Sequence, residues 1–128
     1  GGHETIRLAV PAVITTHLLN SVLGTHAGGV GIALLRIDRS GVRTIVFERE
    51  TDAGGRLAET VTIAKEHADA EYDLVCQTGR YFATQSLPQP ARQIVNVVVI
   101  RFSIPDPNAS YHIPLMIAPN SHSAWWSS

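Results

Sequence analysis

Ala12-Val13-Ile14-Thr15-Thr16-His17-Leu18-Leu19 decides the class of this chain. The stretch is rich in β-branched and apolar residues, the types a half-buried strand favours, and a strand sends successive side chains to opposite faces. Ile14, Thr16 and Leu18 fall on one face, and Thr15, His17 and Leu19 on the other. An imidazole inside such a strand is half sheltered, so it needs either a hydrogen-bond partner or a ligand. Outward from this stretch, residues 30–37, 42–47, 72–76, 94–104 and 111–118 share its strand-like composition. Turn clusters separate them: Gly28-Gly29, Asp38-Arg39-Ser40-Gly41, Asp52-Ala53-Gly54-Gly55 and Pro105-Asp106-Pro107-Asn108. Strands of this length joined by short turns predict an all-β, antiparallel two-sheet sandwich.

One helix is expected, a short one over 78–86 that stops before Leu87-Pro88-Gln89-Pro90, where the prolines remove backbone donors. Residues 60–70 read as a loop or one helical turn. The length of 128 residues suits one domain, 1–128, with 1–11 as a flexible N-terminal segment. Hydrophobic residues make up 45% of the chain and charged ones 16%, enough to bury a core and too few charges for a disordered chain. A net charge of -1 supplies no field to attract nucleic acid or an anionic membrane. No apolar run approaches the ~20 residues of a membrane span, and no basic-then-apolar leader is present, so a cytoplasmic location is expected.

Six histidines are candidates for chemistry: His3, His17, His26, His67, His112 and His122. His3, His26 and His67 lie in segments that read as exposed and solvated. His112 resembles His17 in setting, because Tyr111, Ile113, Leu115 and Ile117 share one face and leave His112 on the other. Pro114 cannot donate to a ladder and suggests an edge or a strand end. No histidine pair has metal-ligand spacing, so neither a metal nor any other cofactor is expected. Cys76 shares a face with Tyr72 and Leu74 and reads as a buried core thiol. Arg56, after the turn 52–55, reads on its own as a solvated residue opening a strand. Trp125-Trp126 would be costly exposed surface on a free tail, so at least one is expected to pack into an interface or cleft.

Together these segments resemble the transthyretin-like family, and within it the 5-hydroxyisourate hydrolases of purine catabolism. Ile14-Thr15-Thr16-His17-Leu18-Leu19-Asn20 is similar to the family's ITTHVLD, and Thr51-Asp52-Ala53-Gly54-Gly55-Arg56 to its T(N/D)xDGR turn. Tyr81-Phe82 matches a YF pair, and Tyr111-His112-Ile113-Pro114-Leu115-Met116-Ile117-Ala118-Pro119 is similar to YHVPLLLSP. The resemblance spans roughly residues 13 to 128. It implies an eight-strand sandwich assembling as a homotetramer, with active sites in the channel between dimers. By position it makes His17, Arg56, His112 and the terminal Ser128 the catalytic set, with Thr15, Trp125 and Trp126 against the substrate. Hormone-carrying transthyretins have lysine, glutamate and threonine where His17, Arg56 and His112 stand.

The departures concentrate at the end of the chain. The family's HYH is Ser110-Tyr111-His112, its SPYGYS is Ala118-Pro119-Asn120-Ser121-His122-Ser123, and its C-terminal YRGS is Trp125-Trp126-Ser127-Ser128. Arginine offers a fixed fork of donors to a polar ring, whereas tryptophan offers one donor and a flat apolar wall. Three functions follow. The first is 5-hydroxyisourate hydrolysis, opening a small cyclic amide by acid–base action of His17 and His112 with Arg56 as electrostatic partner. The second is a sibling enzyme acting on another cyclic amide, imide or lactone. The third is a non-catalytic carrier of small molecules.

Overall fold

The computed structural model describes residues 10–89 and 92–128; most of the expected N-terminal segment, including His3, lies outside the described residues. The deciding stretch forms strand β1 (Ala12–Asn20), on which buried and half-buried residues alternate without a break. Its long ladder organises a six-stranded sheet. One edge of β1 pairs antiparallel with β5 (Arg56–Val61) and β2 (Thr25–His26). The other edge pairs parallel with β8 (Ser110–His112) and β9 (Leu115–Ala118), and β10 (Ser121–Ala124) closes that side against β9. The second sheet is four-stranded and antiparallel, in the order β4 (Arg43–Glu50), β3 (Gly31–Ile37), β6 (Glu71–Cys76), β7 (Val98–Ser103).

The core lies between the sheets. Ile14, Leu18, Tyr111, Leu115 and Ile117 from the first meet Ile32, Leu34, Tyr72, Leu74 and Val98 from the second. Each such side chain contributes about 1.5–3 kcal/mol of transfer free energy. Tyr81 and Phe82 of the short helix α1 (Thr78–Ala83) close one end, with Tyr81 Oη accepting from Asn20 Nδ2 at 3.2 Å. Asn20 also accepts from the Val22 and Leu23 amides, so one buried side chain ends β1 and starts the turn after it. Cys76 is buried as expected, and burial pushes its thiol up to about 12, which makes it inert as a nucleophile.

Several boundaries differ from the sequence expectation, each for a local reason. β1 adds parallel pairs to a sandwich otherwise built from antiparallel ones. Residues 60–61 belong to β5, and only Lys65–His67 turns, as 3₁₀. The strand expected over 94–104 starts at Val98, because the amides of Ile94 and Val95 donate to the Asn120 side chain (2.9 and 3.1 Å) rather than to a ladder. Pro114 splits 111–118 into β8 and β9, since it has no amide to donate. The helix ends at Ala83, short of residue 86. β2 and β10 are short, polar and exposed, so no hydrophobic pattern marks them.

Candidate active site

Alternation along β1 turns Thr15, His17 and Leu19 away from the core, and register then decides what stands beside them. Arg56 on β5 lies directly across from His17, and His112 on β8 directly across from Thr15. A tight loop fixes the arginine. Asp52 Oδ1 accepts from the amides of Gly54 and Arg56, both at 2.9 Å, and Gly55 adopts φ +74°. A Cβ on Gly55 would sit 2.4 Å from the Leu18 carbonyl oxygen, so glycine is required for the loop to approach β1. The Gly55 carbonyl in turn accepts from the Leu18 amide at 2.8 Å, locking the loop beside His17.

Thr15 Oγ1 hydrogen-bonds His112 Nδ1 at 2.7 Å, which orients that ring and leaves Nε2 for other work. Thr15, Arg56 and His112 line a cleft of about 430 Å³, with the carboxylates of Glu50 and Asp52 on its wall. The pKa of His17 is held below its ordinary value. Partial desolvation is the first cause, followed by the Arg56 guanidinium and the neighbouring His26; the Gly54 carbonyl opposes them by accepting a hydrogen bond. At neutral pH His17 is therefore an uncharged base beside a fixed cation, a combination suited to taking a proton while stabilising negative charge on an oxygen. Among the described residues no three His, Cys, Asp or Glu side chains converge to hold a metal ion.

The tail occupies two places. The Ser127 amide and carbonyl bond the backbone of His112 (2.8 and 2.9 Å), so Ser127, one residue before the expected Ser128, stands opposite His112. Trp126 packs its ring 6.1 Å from Tyr111, on the other side of the strand from His112. Trp125 and Trp126 line a separate cleft of about 600 Å³ with Phe102 and Ile113. Within one chain, His17, Arg56, His112 and Thr15 are brought together and the tryptophans are not. Sequence reasoning passed over His26, read as solvated: its Nδ1 lies 3.0 Å from His17 Nε2. The only available signal was its place in a two-residue strand, which carries no pattern of its own.

Fold and site together define a β-sandwich with a histidine–arginine cleft on the outer face of one sheet. The chain belongs to the HIUase/Transthyretin family, whose family model matches residues 14–126. It is 32% identical to the 5-hydroxyisourate hydrolase of Halalkalibacterium halodurans over 112 residues, covering 88% of this chain and 94% of the relative. To the 5-hydroxyisourate hydrolase of Mesorhizobium japonicum it is 35% identical, covering 88% and 89%. Among solved structures it is similar to the Klebsiella pneumoniae 5-hydroxyisourate hydrolase, with a TM-score of 0.67, 29% identity and coverage of 91% of this chain and 99% of that one.

Proposed function

We propose that the cleft on the outer face of β1 hydrolyses 5-hydroxyisourate, a step of purine catabolism. The observation that carries this reading is the register: β1 sets His17 against Arg56 and Thr15 against His112 on one open face. The names and extent of the similar hydrolases support the substrate. His17, neutral at pH 7, takes a proton from the attacking water. His112, oriented by Thr15, delivers one to the departing ring nitrogen. Arg56 stabilises the charge that grows on the carbonyl oxygen. The assembly is a homotetramer in which such faces line the channel between dimers, and the chain works in the cytoplasm on a small cyclic substrate. The tail residues Trp125, Trp126 and Ser128 reach that substrate only once subunits face one another there.

The test is the decay of freshly generated 5-hydroxyisourate with wild-type protein and His17→Ala in parallel. Rapid decay that the variant loses by about 10²–10⁴ supports the assignment. Wild-type decay no faster than buffer, from a folded tetramer, would contradict it. A second reading has one observation in its favour. Trp126 stands where the resembling enzymes have an arginine and lies against Tyr111 at a tilt of 37°, so the tail brings no cation to the cleft. A flatter or less polar cyclic amide, imide or lactone would suit that change, and a panel of such rings separates the two.

A further inference from the structure

The antiparallel pairing of Leu19 with His26 places the His26 side chain on the outer face of β1, diagonally across from His17. The two rings are 5.1 Å apart between centroids and tilted by 30°, with His17 Nε2 and His26 Nδ1 3.0 Å apart. A nitrogen–nitrogen hydrogen bond of that length needs one N–H and one lone pair. It persists when the pair carries no extra proton or one, and it breaks when both rings are charged, because two N–H groups would then face each other. His17 is half-buried and His26 exposed, so the second ring also gives the first a route for exchanging its proton with water. The groups that act on His17 are His26 from β2, Arg56 from β5 and His112 from β8, with the Gly54 carbonyl at the loop. All three side chains disfavour its charged form.

We propose that His26 is a positioning residue that acts through His17: the two imidazoles share one proton across the Nε2···Nδ1 contact and serve the site as a single base. This rests on the hydrolase reading above and deepens it. His26 holds the His17 ring in one orientation, and once the pair carries its shared proton that charge disfavours a second. An asparagine at position 26 keeps an amide donor near the place of Nδ1 but carries no charge. A leucine keeps neither donor nor charge.

The experiment follows wild type, His26→Leu and His26→Asn by two readouts. The first is the pH profile of kcat/KM and kcat for 5-hydroxyisourate. The second is the ¹⁵N signals of the His17 ring titrated by NMR without substrate. His26→Leu is expected to lower kcat about tenfold with little change in KM, the worth of one hydrogen bond to the base. It should also turn the two-step titration of the coupled pair at the His17 ring into a single step, and His26→Asn should recover most of kcat. An unchanged kcat and His17 ring signals in His26→Leu that titrate as in wild type would overturn the role of His26 while leaving the hydrolase reading intact. If wild type proves inactive on 5-hydroxyisourate, the hydrolase reading fails by itself, and the ring signals alone then decide whether the pair titrates as one.

Discussion

The two sheets each carry polar groups on a central strand, and the two strands use them in opposite ways. On β6, Asp73 is 1% exposed and saturated by two arginines, Arg101 at 2.8 and 3.1 Å and Arg43 at 3.0 Å. On β1, His17 and His112 are half-buried, oriented by single side-chain partners and left beside an open cleft. A carboxylate whose two oxygens are both held by guanidinium donors ties strands together and offers little for reaction. Imidazoles both give and accept protons near neutral pH, so the hydrogen bonds that orient them leave that chemistry available. The pairing pattern thus separates structural from chemical polarity in one small fold, and that separation can be attacked from both sides.

The largest effect is expected from the chemical side. His112→Ala should lower kcat/KM for 5-hydroxyisourate by about 10²–10⁴ with the melting temperature nearly unchanged; a large loss of stability instead would return His112 to the structural class. Arg56→Gln removes the cation facing the developing oxyanion and should cost about 10²–10³ in kcat. The same variant should let the His17 ring titrate closer to its ordinary value, which NMR can follow.

Asp73→Ala is the mirror experiment. It removes the acceptor shared by two half-exposed arginines across β4, β6 and β7 and should cost about 1.5–3 kcal/mol in chemical denaturation, with kcat retained by the folded fraction. Hydrogen bonds from Arg101 hold the Asp73 carboxyl below its ordinary value. Its contribution is therefore present above the unfolded carboxyl pKa of about 3.9 and lost as pH falls through the lower folded value. The variant should accordingly lose less stability than wild type on acidification below about pH 4. The smallest effect is Thr15→Val, which removes the oxygen that orients His112 while keeping the strand. About a tenfold loss in kcat is expected, with unchanged stability, and steady-state rates at saturating substrate check it.

How much of this was legible in the sequence depended on whether a pattern had a period. β1 and β3 were readable from their β-branched and apolar composition, and the face of β1 bearing Thr15 and His17 followed from the strand period of two. β10 was not, since Ser121, His122 and Ser123 carry no apolar face and are held by register to β9. Residues 94–97 look like strand by composition, yet Asn120, distant in sequence, takes their amides. For the site, His17, Arg56 and His112 came from motifs of the family, and their adjacency came only with the ladder. His26 escaped because its significance is a diagonal contact across a two-residue strand, invisible to any one-dimensional pattern. The tail tryptophans were expected to pack, yet within one chain both stay exposed, Trp126 touching Tyr111 only at a tilted 6.1 Å ring contact on the far side of the strand from His112.

One titration tests most directly which face of the molecule carries the chemistry. Uric acid, a stable ring close to the proposed substrate, is added to protein bearing ¹⁵N-labelled histidine and tryptophan side chains. Saturable shifts of the His17 and His112 ring signals are expected. Shifts confined to the Trp125 and Trp126 indoles, with both histidines unmoved, would contradict this and place the ring in the other cleft.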